Sequence, residues 1–214
     1  MAYLAAPPQP TVPQPRPSDG LRDRPEPWLF VRPGVDNPTG AVLFERDGTL
    51  IQDVACNGDP AMVHPVAGIR AALAALRGAR LALGVISNQS GVARGVIGRA
   101  QVEAVQARAE ALLGPVDVWA VCPHGPHDGC GCHMPDAGLV SAACRALGLP
   151  PGRVTVVAGS DTVIEAALTA GAHAIRVPTT RPTATAAGPC PPCTLTICRT
   201  AECPEEAADL LLTP

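Results

Sequence analysis

From residue 41 onward, short apolar runs alternate with segments of helical period, and this alternation limits most strongly what the chain can form. Short apolar runs predict buried strands, and the segments between them are long enough for helices. Strands that alternate with helices form a mostly parallel sheet covered by helices on both faces. We therefore predict a three-layer α/β fold, with strands at 41–45, 81–86, 116–121, 154–158 and 173–177 and helices at 67–78, 99–113, 136–147, 163–171 and near 204–212.

The two ends of the chain lack this alternation. Residues 1–38 contain ten Pro, and "APPQPTVPQPRP" is typical of a disordered, polyproline-like arm. Such an arm is either a solvated tail or a ligand for a Pro-binding partner. From residue 181, "RPTATAAGPCPPC" predicts a Cys- and Pro-rich tail that ends in a short helix. We therefore predict one domain over residues 39–180, between an arm at 1–38 and a tail at 181–214.

The charge and the apolar pattern exclude several classes of partner. The formal net charge is −3, which argues against nucleic acid. The sequence contains neither a run of 18 apolar residues nor an N-terminal signal pattern, so we expect no membrane association. Cysteines at metal-ligand spacing favour a reducing, cytoplasmic setting. We expect a monomer that binds a small molecule. All 16 basic residues are Arg, and the chain has no Lys.

Polar side chains follow the predicted strands at the points where they end. Ligands of such Rossmann-like sheets bind beyond the carboxyl ends of the strands. The first strand runs into Glu45-Arg46-Asp47-Gly48-Thr49, the second into Ser87-Asn88-Gln89-Ser90-Gly91 and the fourth into Gly159-Ser160-Asp161. Two acids separated by one residue at a strand end indicate phosphate and metal chemistry. We therefore expect the functional site at this edge of the sheet.

The loop after the third strand carries a candidate metal site. Cys122 and His124 are followed by Cys130 and Cys132, which offer three thiolates and one imidazole. Four such ligands complete a tetrahedral Zn²⁺ shell and leave no position for water, as in structural zinc sites. Four reduced, unliganded side chains are the alternative, and His127 is an alternative ligand. For the other cysteines, we expect Cys56 and Cys144 to be ordinary core or surface residues. A second metal, a disulfide and incidental thiols all remain open for Cys190, Cys193, Cys198 and Cys203.

These motifs resemble the haloacid-dehalogenase-like phosphatase superfamily, subfamily III, in its branch of D-glycero-D-manno-heptose 1,7-bisphosphate phosphatases and histidinol phosphatases. The residues that carry the resemblance lie between about 40 and 180. The resemblance implies hydrolysis of a phosphomonoester, such as a sugar phosphate, through an acyl-phosphate with the help of Mg²⁺. It also implies that the cysteine loop folds around zinc beside the substrate cleft. The matching stretches are "FERDGTL", "NGDP", "HPVAGIRAAL", "SNQSGVARG" and "CPHGPHDGCGCHMP".

The resemblance also assigns roles to particular residues. Glu45 takes the place of the nucleophilic Asp, and Asp47 that of the general acid and base. Ser87 takes the place of the hydroxyl that binds the phosphoryl oxygens. Asn88 and Arg94 fit contacts to the substrate or the phosphate. Asp53 and Asn57 follow the first motif and are candidates for the substrate cleft, with a turn at "NGDP" as the alternative.

Three of the four family motifs are altered in this chain. Glu45 is one methylene longer than Asp, which moves the carboxylate by roughly 1.5 Å, and a misplacement of about 1 Å can cost ~100-fold in rate. Met134 takes the place of the family's Lys, so that only an Arg or a protonated His133 remains to replace its charge. In the fourth motif, Gly159 and Val163 stand where the family has metal-binding acids.

Two interpretations of these changes remain open. One is a working enzyme in which Glu45, Asp47 and Asp161 hold Mg²⁺, provided that the loop around Asp161 shifts its register. The other is a pseudophosphatase that keeps the fold and binds a phosphorylated ligand or regulates a partner. Each lost group removes positive charge from the place where a phosphoryl group of about −2 must sit. The sequence therefore favours weak or absent hydrolysis. It does not choose between a heptose bisphosphate and histidinol phosphate.

Overall fold

The computed structural model of the 214-residue chain describes residues 26–32, 37–178 and 198–213. Two short 3₁₀ turns lie at Pro60–Met62 and Pro151–Arg153. The helices in these ranges are α1 Ile69–Gly78, α2 Ser90–Ala93, α3 Arg99–Leu113, α4 Gly138–Ala146, α5 Asp161–Thr169 and α6 Pro204–Leu212. The strands are β1 Trp28–Val31, β2 Ala41–Glu45, β3 Ala82–Asn88, β4 Val118–Cys122, β5 Val154–Ala158, β6 His173–Arg176 and β7 Cys198–Thr200.

The strands of the described ranges form a single sheet in the order β1-β4-β3-β2-β5-β6-β7. The middle strand of the sheet, β2, pairs in parallel with β3 on one side and with β5 on the other. The order therefore reverses at β2, and a crevice opens at such a switch point beyond the carboxyl ends of the strands. Only β1 among these strands runs antiparallel, against β4. The predicted, mostly parallel sheet is confirmed.

Alternate side chains of β2 enter two different cores. Ala41 and Leu43 pack on one face of the sheet, and Val42 and Phe44 pack on the other. Successive side chains of a strand point to opposite faces, so a strand buried on both faces is apolar throughout. Helices α4 and α5 cover the first face, whereas α1, α3 and α6 cover the second. The three-layer prediction is therefore confirmed.

Two strands lie in segments that the sequence assigned to the arm and the tail. In β1, Trp28 is 8% exposed and pairs with Val121, and its ring lies 5.1 Å from the guanidinium carbon of Arg99. Strand β7 adds to the other edge of the sheet beside β6. The predicted boundaries at 38 and 181 are wrong for these two strands. Both strands pair with the sheet of the domain, although Pro-rich sequence lies near them. Residues 1–25, 33–36, 179–197 and 214, which include most of the predicted arm and about half of the predicted tail, fall outside the described residues.

None of the helices in the described ranges is both long enough and apolar enough to span a membrane.

Candidate active site and metal-ligand cluster

A cavity of about 330 Å³ opens at the carboxyl ends of β2, β3 and β5. It lies at the switch point of the sheet, where the strand-end loops meet. Its lining is mostly polar, with acids, hydroxyls, amides and two Arg. The lining residues are Glu45, Arg46, Asp47, Asp53, Val54, Cys56, Ser87, Asn88, Gln89, Ser90, Gly91, Arg94, Met134, Ser160, Thr162 and Val163.

The carboxylate of Glu45 is held by the loop that follows β5. Its Oε2 accepts hydrogen bonds from the backbone N–H groups of Gly159 at 2.9 Å and Ser160 at 3.1 Å. Its Oε1 accepts one from Ser160 Oγ at 2.6 Å, and Thr49 Oγ1 lies 3.4 Å from Oε2. Burial raises the pKa of Glu45 above its usual range, although the hydrogen bonds from Ser160 and Gly159 favour the charged form. Glu45 thus serves as an anchor for this loop.

The carboxylate of Asp47 faces a guanidinium and an amide. Arg46 Nε donates to both of its oxygens, at 3.0 and 3.1 Å. Gln89 Nε2 donates to Oδ2 at 3.0 Å, and Ser87 Oγ lies 3.4 Å from the same atom. Gln89 also donates to Ser87 Oγ at 2.8 Å. Asp47 is therefore surrounded by donors from its own loop and from the end of β3.

The side chain of Arg46 is buried, with 1% of the residue exposed. Its Nε contacts Asp47, but its Nη1 is buried and has no acceptor among the residues that the structure describes. A buried donor without a partner is costly, and more so when it belongs to a charged group. Arg46 thus holds a fixed positive charge beside the cavity and has unused hydrogen-bonding capacity.

Asn88 joins the end of β3 to the loop that follows the cysteines. Its Nδ2 donates to the carbonyl oxygen of Met134 at 3.0 Å, and its Oδ1 accepts from the Met134 N–H at 3.2 Å. Met134 is 2% exposed and lines the cavity. An apolar thioether therefore borders the cavity where the resemblance predicts an ammonium group.

His133 contacts two residues of the cavity lining, Ser90 and Asn88. Its Nε2 lies 3.0 Å from Ser90 Oγ, and its Nδ1 lies 3.4 Å from Asn88 Nδ2. These two contacts hold the imidazole ring between Ser90 and Asn88. Burial lowers the pKa of His133, which favours the neutral ring. A protonated His133 is therefore a poor replacement for the missing Lys charge.

Asp161 does not reach the cavity. Its side chain is 84% exposed and pairs with Arg176 Nη2, while Arg176 Nη1 donates to the carbonyl oxygen of Gly159. Asp161 begins α5, and the positions that face the cavity are Ser160, Thr162 and Val163. The register shift needed to bring Asp161 to a metal is absent from this loop.

The other predicted site residues divide between the cavity and its surroundings. Asp53 and Arg94 line the cavity, and the exposed Arg94 donates from Nη2 to Cys56 Sγ at 3.1 Å. Asn57 is buried outside the lining, where its Oδ1 caps the N–H of Asp59. Sequence reasoning assigned no role to five lining residues with polar side chains. Their only signal was a position within or beside a motif: Arg46, Gln89, Ser90, Ser160 and Thr162.

The carboxylates at the cavity do not fit a magnesium ion. Mg²⁺ requires near-octahedral oxygen ligands at about 2.0–2.1 Å. Glu45 already accepts from the 159–160 loop, Asp47 is paired with a guanidinium, and Asp161 points away. In the described part of the chain, these acids do not form a group of three that converges on one point.

The four predicted zinc ligands do converge. Their ligand atoms all lie within 4.8 Å of one another. With Zn–S near 2.3 Å and Zn–N near 2.05 Å, a tetrahedron has S–S edges of about 3.8 Å and S–N edges of about 3.6 Å. The sulfur of Cys122 lies 3.8 Å from that of Cys130 and 3.3 Å from that of Cys132. His124 Nδ1 lies 3.6 Å from Cys122 Sγ and 3.3 Å from Cys132 Sγ. The cluster therefore has nearly the size of a zinc shell.

The chemistry of the cluster also suits a cation. A hydrogen bond with Cys122 and burial raise the pKa of the Cys132 thiol. A divalent ion at the centre favours the thiolate forms, since metal-bound thiols are deprotonated. His127, the alternative ligand, is not a member of the group.

Comparisons with known proteins agree with this fold. A D-glycero-β-D-manno-heptose-1,7-bisphosphate 7-phosphatase of Pseudomonas putida is 36% identical over 148 residues, which are 64% of this chain and 82% of the relative. One of Bordetella bronchiseptica is 33% identical over 135 residues, which are 61% of this chain and 75% of the relative. No family model matches the chain.

Solved structures give the same result. The crystal structure of the D,D-heptose 1,7-bisphosphate phosphatase from B. bronchiseptica, complexed with magnesium and phosphate, superposes with a TM-score of 0.69 at 30% identity. The match covers 81% of this chain and 98% of that one. A putative HAD-like phosphatase from Mesorhizobium loti gives a TM-score of 0.65 at 28% identity, over 72% and 81% of the two chains.

Fold and strand-end loops together define an α/β protein of the haloacid-dehalogenase-like class. Within that class, the chain belongs to the family of D,D-heptose 1,7-bisphosphate phosphatases.

Proposed function

We propose that this chain binds a small phosphorylated metabolite of the sugar-phosphate type in the cavity, and that it hydrolyses the phosphate ester slowly or not at all. The family supports a phosphorylated sugar as the ligand class. The altered motifs support impaired turnover. Asp47 and Ser87 are the retained groups that would meet the phosphate.

The observation that carries the proposal is the binding of Glu45 by the loop after β5. A carboxylate attacks phosphorus with a free lone pair aimed at the phosphorus atom. In Glu45, Oε2 accepts hydrogen bonds from two N–H groups, those of Gly159 and Ser160, and Oε1 accepts one from Ser160 Oγ, so the loop after β5 holds both oxygens away from an attacking position. Freeing one oxygen means breaking charge-assisted bonds, each of which contributes about 1.5–3 kcal/mol.

A second support is the lack of a Lys at position 134. Phosphoryl transfer depends on positive charge placed around the transferring group. The thioether of Met134 offers none, and loss of one such electrostatic contact costs about 10²–10³-fold in rate. Together with the longer nucleophile, this predicts turnover at least ~10²-fold below that of an intact relative.

For the cysteine loop we propose one structural zinc ion, held by Cys122, His124, Cys130 and Cys132. The support is the convergence of the four ligand atoms at nearly tetrahedral spacing. A closed shell of this kind stabilises the loop and takes no part in the reaction.

The experiment is an assay of phosphate release with Mg²⁺ from heptose 1,7-bisphosphate, histidinol phosphate and other sugar phosphates. The P. putida relative serves as the positive control, and Asp47→Asn serves as the negative control. We expect release close to that of Asp47→Asn, with measurable binding of the ligand. We also expect the double variant Glu45→Asp, Met134→Lys to hydrolyse faster than the wild type. Turnover within ~10-fold of the relative, abolished by Asp47→Asn, would refute impaired catalysis.

A further inference from the structure

We propose that the cavity binds a phosphoryl group without a divalent metal, and that the guanidinium of Arg46 supplies the positive charge. This inference rests on the proposed function, since it specifies how the same cavity holds its phosphorylated ligand. It assigns a binding role to a residue between the two motif acids.

The first argument is that the carboxylates are already paired with donors of the protein. Donors from the loop after β5 hold Glu45, and Arg46 holds Asp47. On the far side of that loop, Arg176 holds Asp161 and the carbonyl oxygen of Gly159. Two guanidinium groups therefore compensate acids that a metal ion would otherwise compensate.

The second argument is the state of the Arg46 side chain. It is 1% exposed and lines the cavity, yet its Nη1 has no acceptor among the described residues. Buried polar groups are almost always hydrogen-bonded, so such a group calls for an explanation. A phosphoryl group in the cavity would compensate the charge of this guanidinium, which solvent screens little because the side chain is buried.

The third argument is the charge of the cavity wall. Three acids, Glu45, Asp47 and Asp53, and two Arg residues line it. The raised pKa of Glu45 and the pairing of Asp47 with Arg46 weaken the repulsion of an anion. The other Arg, Arg94, is exposed and hydrogen-bonded to Cys56, so solvent screens its charge more strongly. Arg46 is thus the buried cation of this wall.

Hydroxyl groups complete the candidate anion site. Ser87 and Ser90 line the cavity beside Asp47 and Asn88. Ser90 Oγ lies 3.0 Å from His133 Nε2, and a hydroxyl offers one donor and two acceptor sites. A phosphoryl group near Arg46 and Ser90 would therefore meet a buried positive charge and a hydroxyl group.

The test is the affinity of the zinc-loaded protein for inorganic phosphate. The affinity is measured by titration calorimetry, once with and once without added Mg²⁺. Omission of Mg²⁺ is preferable to a chelator, which would also remove zinc. We expect the same affinity in both conditions. Arg46→Gln should weaken binding ~10–100-fold, since the buried positive charge is lost, and Arg46→Lys should weaken it less. The matched control, Arg108→Gln, removes an exposed Arg of α3 that does not line the cavity and should change the affinity less than ~3-fold.

A second measurement covers the case in which Arg46→Gln fails to fold. In protein labelled with ¹⁵N-Arg, phosphate should shift one guanidinium resonance of the wild type, and Arg46→Lys should remove that resonance. Binding that requires Mg²⁺, or a folded Arg46→Gln with wild-type affinity, would overturn the inference. So would a guanidinium spectrum that does not change on saturation with phosphate. The turnover assay tests the proposed function separately. Fast hydrolysis would overturn that proposal. Phosphate binding that does not depend on Arg46, in a protein that does not hydrolyse the ester, would overturn only this inference.

Discussion

Zinc removal gives the sharpest test of how the cysteine loop stabilises this protein. The perturbation is Cys132→Ser, which exchanges one buried thiol of the cluster for a poor zinc ligand. The matched control is Cys56→Ser, because Cys56 is half-buried and lies outside the cluster. We expect about one zinc per chain in the wild type and in the control, and much less in Cys132→Ser.

The magnitude follows from the geometry of the cluster. The S–S distances of 3.3, 3.4 and 3.8 Å lie within about 0.5 Å of the edges of a zinc tetrahedron. Little rearrangement is therefore needed to bind the ion, and its binding free energy can be transferred to the fold. A ligand at 100–1,000 times its dissociation constant stabilises the folded state by about 2.7–4.1 kcal/mol. For a chain of this size, that corresponds to a decrease in Tm of about 5–16 °C when zinc is lost.

The assay pairs metal analysis by mass spectrometry with thermal unfolding. Protein expressed with zinc is measured before and after treatment with a chelator, and the wild type should then lose stability to the level of Cys132→Ser. Cys132→Ser itself should not respond to the chelator. If purified wild-type protein holds no stoichiometric zinc and the chelator leaves its Tm unchanged, the structural role of the cluster is wrong.

Three further predictions concern the fold and the loop that holds Glu45. Because the pKa of Glu45 is raised, its contribution to stability is present below about pH 4.5 and is lost as the pH rises through the raised pKa. Glu45→Gln keeps an acceptor for the N–H groups and should therefore be more stable than the wild type at neutral pH. In urea unfolding, the difference in free energy of unfolding between the two proteins should shrink toward pH 4. A difference that is the same at every pH would contradict this. Trp28→Ala should lower the free energy of unfolding by about 3–5 kcal/mol, whereas Leu29→Ala, at a position 41% exposed, should cost less than about 0.5 kcal/mol, and a small effect of Trp28→Ala would mean that β1 is not part of the domain. Gly138→Ala places a Cβ 2.2 Å from the carbonyl oxygen of Gly131 and should weaken zinc binding at least ~10-fold in competition with a chromophoric chelator; Gly152→Ala meets no atom within 4 Å and should leave zinc affinity unchanged.

The central strands and helices could be predicted from the sequence, because a parallel strand buried on both faces is an uninterrupted apolar run. The predicted strand at 41–45 and helix at 99–113 match β2 and α3 residue for residue. In β2 every apolar side chain enters a core, so the run has no polar interruption. The two added strands were missed for the opposite reason. Each is short and lies at an edge of the sheet, and β1 stands in Pro-rich surroundings where Trp28 was the main indication of packing.

The candidate site was less readable, because its chemistry depends on side-chain direction. The family motifs predicted that Glu45, Asp47 and Ser87 come together, and the cavity contains all three. They did not predict that Glu45 turns to the loop after β5, or that Asp161 pairs with Arg176. These contacts join residues that are far apart in the chain. Arg46 was visible as a charge within a motif, but only its burial reveals an unpaired nitrogen.

The pair of hydrogen bonds between the Asn88 amide and the Met134 backbone has a practical consequence. It joins Asn88, a residue of the cavity lining, to the segment that follows Cys132. The position of Asn88 therefore depends on whether the proposed zinc ion holds that segment in place. Protein stripped of metal during purification would therefore present an altered cavity to any compound library. Ligand screens on this protein should accordingly begin with a measured zinc content.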